Sequence, residues 1–472
     1  MKKLLTIILT LLLLTACAAP ASPGAQTVAT EGAAGFRVGF AMADITPNEP
    51  VPLGGYSRSD LRISQGFISR LYASCLAVTD EEGKTVLLFS LDQHNAHHTD
   101  EIRKAVSKAT GVPVEHIVIS MTHTHSAPDL TNTKQASIQN YLVLLEKQAA
   151  AAAEEALADR KPAAIFGGSI ATEGLNFIRH YKMNDGTYAG DNFGDTSSGY
   201  AGHHHDADPT LQLLKFSREG GKDIYVTNFQ THPHQTGGLE KYDVSADVVG
   251  AYRSAMEQAA DAHVMYFSGA GGNVNSTSRI REEQVAKDYK DWGSKLADYA
   301  QKVQLQPLAS GAVRVTTQVF RGEVNHSMDA YAALCKDLYE QWNAGKIDAE
   351  EVKRRGAEAG IKLNSGQNAR SISQRATMGK TYDFDLATVS FGEVAMVVAP
   401  FEMFDTIGSY IREGSPFGMT FIATLANGTV GYLPTRETFE YGSYETDSCR
   451  FSPGIAEEVA DAFLAMLKAQ YE

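Results

Sequence analysis

Cysteine is scarce in this sequence. Its 472 residues include four cysteines, Cys17, Cys75, Cys335 and Cys449, and none of them stands in a Cys-x-x-Cys spacing. This arrangement argues against a thiolate zinc site, and the three cysteines after Cys17 are too few to form a disulfide framework. We expect three buried thiols, with a single disulfide bridge as the alternative.

Clusters of positive charge and long apolar runs are missing as well. The net charge is −14, from 42 basic and 56 acidic residues. A chain of this charge without a basic cluster does not attract nucleic acid or an anionic bilayer. The apolar run at residues 4–14 is too short to span a bilayer. With 21% charged and 43% hydrophobic residues, the composition is that of a soluble protein with a large core.

The first 35 residues differ from the rest. Lys2 and Lys3 precede the apolar run, so residues 1–16 are typical of an export signal. The run closes with Leu14-Thr15-Ala16-Cys17, which resembles a bacterial lipobox and predicts lipidation of Cys17. Plain signal cleavage beside an incidental cysteine is the alternative. Residues 17–35 predict a flexible tether. We therefore expect an exported bacterial lipoprotein, anchored through Cys17 to the cell membrane or outer membrane and facing outward or the periplasm.

Strand and helix patterns alternate over residues 36–472. This alternation predicts one large α/β domain whose mixed sheet is covered by helices. Residues 176–206 show no regular pattern, and a loop of that length is usually functional. The loop ends in His203-His204-His205. Adjacent side chains cannot all face one ion, so we expect a solvated loop here rather than a metal cluster.

The most informative stretch is Ile117-Val118-Ile119-Ser120-Met121, a predicted buried strand that leads directly into His123 and His125. Along an extended chain both imidazoles would face the same side, about 7 Å apart. A pair of polar loop histidines is the alternative for an isolated His-x-His. Three further residues, His232, Glu402 and Tyr432, also lie at or just past predicted strand ends. Ligands of α/β sheets bind beyond such ends.

Two imidazoles and a carboxylate form the ligand set of hydrolytic zinc sites, which leave one position for water. The sequence thus predicts one Zn²⁺ ion. His125 is suited to donate a proton or to stabilise an oxyanion, as is the phenol of Tyr432. Asp92, at the end of the preceding predicted strand, is placed to accept an imidazole N–H and so to orient a ligand. A strand-ending cap is the alternative role for Asp92.

A series of motifs in this order resembles the neutral (alkaline, non-lysosomal) ceramidase family across residues 37–470. The motifs are Asp44-Ile45-Thr46-Pro47, Pro52-Leu53-Gly54-Gly55-Tyr56, Thr122-His123-Thr124-His125-Ser126-Ala127-Pro128, Thr231-His232-Pro233, Pro400-Phe401-Glu402 and the stretch from Asn427 to Tyr432. The resemblance implies the fold of the family's N-terminal catalytic domain and a zinc amidase that cleaves the N-acyl bond of ceramide.

The resemblance also implies roles for individual residues. It gives His123, His232, Glu402 and Tyr432 as ligands of one zinc ion and His125 as the polar partner of the tetrahedral intermediate. It places Asn176 and Arg179 near the substrate. Tyr444, followed by Glu445, matches a Tyr-Glu pair that supports the zinc tyrosine.

Three departures from the family pattern stand out. Gly272-Asn273-Val274-Asn275-Ser276 replaces the family's Gly-Asp-Val-Ser-Pro, so Asn275 stands where a serine was once proposed as nucleophile. We therefore expect Gly272, Asn273 and Asn275 to form a substrate loop, and attack by zinc-bound water. Pro400-Phe401-Glu402 replaces Pro-Gly-Glu. The chain also ends before the family's C-terminal immunoglobulin-like domain could fit. These last two departures argue against ceramide as the substrate more than they argue against amide hydrolysis.

The leading hypothesis is a zinc-dependent amidohydrolase acting on ceramide or a related N-acylated amphiphile. One alternative keeps the metal and changes the bond to an ester, a peptidoglycan amide or a glycan-linked bond. A second alternative is a solute-binding lipoprotein without catalysis, which needs no metal at strand ends. The expected partners are a lipid-like or N-acylated small molecule and the membrane. The sequence indicates no oligomeric state.

Overall fold

The computed structural model describes residues 35–56 and 61–472. The predicted signal peptide, the lipidated Cys17 and all of the tether except Gly35 lie outside the described residues. Within the described ranges, no helix is long and apolar enough to cross a membrane. Cys75, Cys335 and Cys449 are free and buried, as expected.

The strands of the described chain are named in chain order. They are β1 (Phe36–Asp44), β2 (Gly66–Phe67), β3 (Tyr72–Thr79), β4 (Thr85–Leu91), β5 (Ile117–Met121), β6 (Lys161–Ala171), β7 (Phe177–Ile178), β8 (His180–Met183), β9 (Tyr188–Gly190), β10 (Tyr200–His203), β11 (Thr210–Arg218), β12 (Ile224–Phe229), β13 (Asp243–Val244), β14 (His263–Ser268), β15 (Val274–Asn275), β16 (Gln306–Pro307), β17 (Val313–Glu323), β18 (Thr381–Phe391), β19 (Val394–Val398), β20 (Glu402–Met403), β21 (Met419–Ala423) and β22 (Tyr432–Leu433).

The helices are named in the same way. They are α1 (Thr99–Thr110), α2 (Ala136–Ala158), α3 (Asp247–Ala260), α4 (Tyr289–Lys302), α5 (Ala332–Asn343), α6 (Ala349–Glu358), α7 (Gly366–Arg375), α8 (Asp405–Gly414), α9 (Arg436–Tyr441), α10 (Tyr444–Ser448) and α11 (Ile455–Tyr471). Strands and helices alternate as the sequence predicts, and the α/β class is confirmed.

The core contains two large sheets where the sequence predicts a single one. A nine-stranded mixed sheet has the order β14-β12-β11-β6-β1-β3-β4-β5, with β16 paired to β6, and a four-stranded sheet has the order β17-β18-β19-β21. Apolar side chains of the two sheets share one core, for example Phe36 and Val226 with Val389 and Phe421. The strands show runs of buried residues because both faces are covered.

Helices cover the outer faces of both sheets. Helices α1 and α2 pack on one part of the larger sheet, and α3 and α4 pack on another part. Helices α8 and α11 pack on the smaller sheet. Helix α2 shows how the sequence encodes this arrangement, because its buried positions recur at helical spacing from Ile138 through Tyr141, Leu145 and Ala149. The result is a four-layer domain.

The two edge strands of the larger sheet, β5 and β14, come together around residues 424–427, which follow β21. The backbone N–H of Asn427 donates to Ile119 O at 2.8 Å, and that of Thr424 donates to Ser268 O at 3.1 Å. Ser268 Oγ also donates to Thr122 O at 3.0 Å. The segment therefore satisfies backbone groups on both edges. It brings the carboxyl ends of β5, β14 and β21 to one place.

The segment at residues 176–206 is not the irregular loop that was predicted. It contains β7 to β10, and β8 lies between β9 and β10 in a small antiparallel sheet. Its three histidines are not a solvated group either, since they bond to separate carboxylates: His203 to Glu283 at 2.7 Å, His204 to Glu437 at 3.5 Å and His205 to Asp405 at 3.2 Å. Although His204 Nδ1 and His205 Nδ1 lie 3.0 Å apart, each of the three histidines contacts a different carboxylate, so they do not gather on one ion.

One buried amide joins the two sheets and supplies a test of the packing. Asn228 on β12 donates to Phe267 O at 3.0 Å and to Ile422 O at 2.9 Å, and it accepts from Ile422 N at 2.9 Å. Asn228→Leu would leave buried backbone groups without partners, so we expect the free energy of unfolding to fall by about 3 kcal/mol. Urea denaturation measures this change. The exposed control Asn343→Leu should change it by less than about 0.5 kcal/mol, and equal effects of the two variants would contradict the packing described.

Candidate metal centre

His123 and His125 lie in a tight turn after β5. The sequence analysis assumed an extended chain at His123. The residue instead has a φ of 67°, so the chain turns there. The strained backbone is held by hydrogen bonds from His123 N to Gln93 O at 2.9 Å and from His125 N to Pro233 O at 3.0 Å. The two rings nevertheless meet, with their Nε2 atoms 3.3 Å apart. The turn, and not strand alternation, brings them together.

His232 approaches from the other side of the sheet, three residues after β12. Its Nδ1 bonds Gly271 O at 2.9 Å, while Nδ1 of His123 bonds His94 O at 2.5 Å. A carbonyl oxygen can only accept, so each Nδ1 carries the proton and each Nε2 of a neutral ring carries a lone pair. These two Nε2 atoms lie 3.0 Å apart.

Glu402 completes a cluster of three acceptor atoms. It is placed by β20, which pairs in parallel with β22 so that Glu402 is opposite Tyr432. Its Oε2 lies 3.4 Å from His123 Nε2 and 3.5 Å from His232 Nε2. This oxygen is buried and makes no hydrogen bond within the described part of the chain. We call His123, His232 and Glu402 the His-His-Glu cluster.

The cluster fits a zinc ion. In a tetrahedral site with ligand distances near 2.0–2.1 Å, the ligand atoms are about 3.3 Å apart. The three separations in the His-His-Glu cluster are 3.0, 3.4 and 3.5 Å. Three buried acceptors at this spacing repel one another unless a cation lies between them. Three protein ligands also leave one tetrahedral position open.

Protonation states in the cluster suit metal binding. Burial lowers the pKa of His232 well below its ordinary value, and the charges of Arg179 and His123 lower it further. Burial raises the pKa of Glu402, but the neighbouring His123, Tyr432 and Arg179 outweigh it and the net shift is downward. Neutral imidazole and ionised carboxylate are the forms that bind a metal.

A second group of imidazoles, His94, His123 and His125, also has ring nitrogens within 4.8 Å of one another. Burial lowers the pKa of His94 to about 3, so its ring is neutral. The rings of His94 and His123 are stacked, with centroids 4.8 Å apart and planes 23° from parallel. Lone pairs in nearly parallel planes cannot converge on one ion. The His-His-Glu cluster is the better metal site.

Arg179 and Tyr432 border the cluster. Arg179 Nη2 donates to Tyr432 OH at 3.2 Å, and its Nη1 lies 3.5 Å from His232 Nε2. The guanidinium is held by Glu445, whose Oε1 accepts from Arg179 Nε at 2.7 Å. The other oxygen of Glu445 bonds His180 Nε2 at 2.8 Å. Tyr444 packs edge-on against Tyr432, with ring centroids 5.8 Å apart.

Two predicted site residues have other roles in the structure. Asp92 orients no imidazole, because its buried carboxylate pairs with Arg253 at 2.7 Å and accepts from Tyr72 N at 2.9 Å. Asn176 uses its amide to donate to Asp208 O at 2.8 Å and Gln230 O at 3.4 Å. These bonds fix the chain that enters β7 and do not reach the His-His-Glu cluster.

The predicted substrate loop is a support for the cluster. A Cβ on Gly272 would lie 2.4 Å from Glu402 O, so only glycine allows this close approach. The side chain of Asn273 donates to Asp405 Oδ1 at 2.9 Å and accepts from Asp405 N at 3.0 Å. Asn275 donates to Asp191 Oδ2 at 2.7 Å. The turn therefore fixes the positions of His232 and Glu402 through its backbone.

Comparison with known proteins adds the fold relationship. No protein-family model matches the sequence, and no curated protein matches it. Among solved structures, neutral ceramidase from Pseudomonas aeruginosa aligns with a TM-score of 0.68 at 17% identity, over 92% of this chain and 74% of that one. A ceramidase complexed with C2 aligns with a TM-score of 0.67 at 16% identity, over 92% and 75%. The chain shares the fold of neutral ceramidase. The predicted family resemblance is confirmed for the fold.

Sequence reasoning missed two histidines, the half-buried His94 and the buried His180. His94 follows the end of β4, the kind of place where the other candidates were found, but its neighbours form no recognisable motif. His180 adjoins Arg179 in the chain, yet its partner Glu445 is 265 residues away. No local sequence pattern predicts a contact between residues so far apart in the chain.

The role of Asp92 can be tested through stability. Asp92→Ala would leave Arg253 buried without its partner, so we expect the free energy of unfolding to fall by about 3–5 kcal/mol while zinc binding at saturation is unchanged. Denaturation and metal analysis measure the two effects. Asp100→Ala, which removes a mostly exposed carboxylate, is the control. Loss of zinc with full stability would restore the predicted ligand-orienting role.

The Arg179–Glu445 pair predicts a dependence of stability on pH. Burial raises the pKa of Glu445, but Arg179 and His180 outweigh it and lower the value from 4.5 to about 2. A depressed pKa stabilises the fold above the unfolded value, and this stabilisation is lost as the pH falls from about 4.5 towards 2.

We expect Glu445→Gln to lower the free energy of unfolding by on the order of 3 kcal/mol near neutral pH. The difference from the wild type should shrink from about pH 4.5 downwards, which denaturation at a series of pH values would show. The exposed control Glu440→Gln should give no such trend. A difference that stays constant down to about pH 3 would contradict the ion pair.

Proposed function

We propose that this protein is a zinc-dependent amidohydrolase that cleaves the N-acyl amide bond of ceramide or of a related N-acylated amphiphile. The observation that carries the proposal is the His-His-Glu cluster, with three acceptor atoms 3.0 to 3.5 Å apart. The shared fold with two ceramidase structures supports the choice of bond. His123, His232 and Glu402 would hold the ion, with Tyr432 beside it, opposite Glu402.

Bound zinc supplies an activated water near neutral pH and polarises a carbonyl oxygen. The side chains around the ion would then contribute electrostatic stabilisation. Burial raises the pKa of Tyr432 well above its ordinary value, so the phenol keeps its proton. Arg179, 3.2 Å from that phenol, carries a positive charge fixed by Glu445. Together they present fixed donors to the oxygen on which negative charge develops during amide cleavage.

His125 is the proposed proton carrier. Burial lowers its pKa well below the ordinary value, and the neighbouring imidazoles His94 and His123 lower it further. The ring is therefore neutral. Its Nδ1 is buried and has no hydrogen-bond partner among the described residues. Since amide cleavage requires a proton for the departing amine, a neutral imidazole beside the cluster is suited to pass one on.

Three large apolar side chains are exposed on the two segments that contact His125. Arg62 donates to His125 O at 3.2 Å, and the residues on either side of it, Leu61 and Ile63, are 56% and 37% exposed. Leu239 is 61% exposed and lies two residues after Gly237, which packs on His125. Apolar side chains exposed beside a polar centre can receive an acyl or alkyl chain. We further propose export and anchoring through Cys17, which lies outside the described residues.

Metal analysis combined with hydrolysis of an N-acylsphingosine tests the proposal. We expect the wild-type protein to bind one zinc ion and to release a free amine. His123→Ala and Glu402→Ala should lose the zinc and reduce turnover by at least about 1000-fold. His97→Ala, which removes an exposed histidine of the same region, is the matched control and should retain both.

The assay also separates the alternatives. A matched ester tests the bond, because preferred release of an alcohol would replace the amidase by an esterase. Full turnover in zinc-depleted protein would contradict the proposal. So would a purified protein that binds zinc and cleaves none of the N-acyl amides offered.

A further inference from the structure

A second cleft lies apart from the His-His-Glu cluster, between β20, α8, α9 and the start of α11. Its cavity volume is about 740 Å³, which is within the range of small-molecule sites. Apolar and aromatic side chains form one wall, namely Phe404, Ile407, Tyr410 and Tyr441. None of the metal-ligand candidates lines it.

The lining of the cleft also carries negative charge. Glu437, Glu457 and Asp461 line the cleft, and among the described residues no lysine or arginine does. The two histidines of the lining do not offset these charges. Burial lowers the pKa of His204, so its ring is neutral, and His205 is paired with the buried Asp405 at 3.2 Å. The cleft therefore repels anions and favours a cation.

A chain of hydrogen bonds connects the cleft to the metal centre. Tyr441, on the cleft wall, bonds through its hydroxyl to His180 Nδ1 at 2.8 Å. His180 bonds Glu445, and Glu445 holds Arg179 beside Tyr432. Along this path His180, Glu445 and Arg179 link the two sites. A molecule in the cleft thus occupies a site distinct from that of the amide to be cleaved.

We propose that this cleft binds an organic ammonium ion that carries an alkyl chain, with the ammonium group near Glu437 and Asp461 and the chain against Phe404 and Ile407. The faces of Tyr410 and Tyr441 add the attraction of aromatic rings for a cation. A neutral polyol would also contact aromatic rings and carboxylates. It would gain nothing from three acids in a lining without lysine or arginine, so the charge of the lining favours the ammonium ion.

This chemistry connects the cleft to the reaction. Hydrolysis of an N-acyl amide releases an amine that is protonated near neutral pH, and an amine with an alkyl chain matches both the apolar and the acidic side chains of the lining. The link to the product rests on the proposed function, whereas the binding site itself does not. The test below is therefore made on binding alone.

Isothermal titration of hexylammonium, hexanoate and hexyl glucoside compares a cation, an anion and a polyol on the same chain. We expect hexylammonium to bind and the other two to bind at least about tenfold more weakly. Its affinity should fall as salt is added. The double variant Glu437→Gln/Asp461→Asn should weaken it at least about tenfold. Both side chains are mostly exposed, so the variant should fold.

Two control variants show where hexylammonium binds. Glu458→Gln removes an exposed acid of α11 that does not line the cleft, and it should leave binding unchanged. His123→Ala removes the metal centre and should also leave binding unchanged, so failure of the amidase proposal would not affect the result. The inference is overturned if hexanoate or the glucoside binds as well as hexylammonium, if no ligand binds, or if the double variant binds like the wild type.

Discussion

Three lone pairs that point at one another are the constraint on which this structure depends. Nε2 of His123, Nε2 of His232 and Oε2 of Glu402 all accept, and backbone carbonyls hold the Nδ1 protons that fix this state of the two rings. In water such groups would turn away or find donors. Here the fold keeps them buried and together, which is unfavourable without a cation. A site of this kind fits a bound metal ion.

The fold supplies that arrangement through its strand ends. The curved larger sheet brings β5 and β14 to either side of residues 424–427, so the chain that leads to Tyr432 lies beside the chain that leads to His123. The glycine turn after β14 then contacts both partners, since Gly271 holds His232 and Gly272 lies against Glu402. Arg179 and Glu445 add a fixed charge on the same side. The four layers of the domain thus place six side chains, those of His123, His232, Glu402, Tyr432, Arg179 and Glu445.

What could be read from the sequence was local. Apolar strands ending in His123, His232, Glu402 and Tyr432 identified the side chains that the fold brings together, because residues at strand ends share one edge of a sheet. The two-sheet core was missed, since a strand pattern does not say which strands pair. Asp92 was misread because its partner Arg253 lies 161 residues away. His123 meets His125 through a positive φ that alternation does not predict.

X-ray absorption at the zinc edge tests the central claim most directly. On protein loaded with one equivalent of zinc, the account predicts imidazole nitrogens and oxygen donors at about 2.0–2.2 Å, with no sulfur. The two imidazole contributions should drop to one in His232→Ala if that variant still holds metal. A spectrum dominated by water oxygens, or one left unchanged by the loss of His123 or His232, would show that the ion binds elsewhere and would contradict the account.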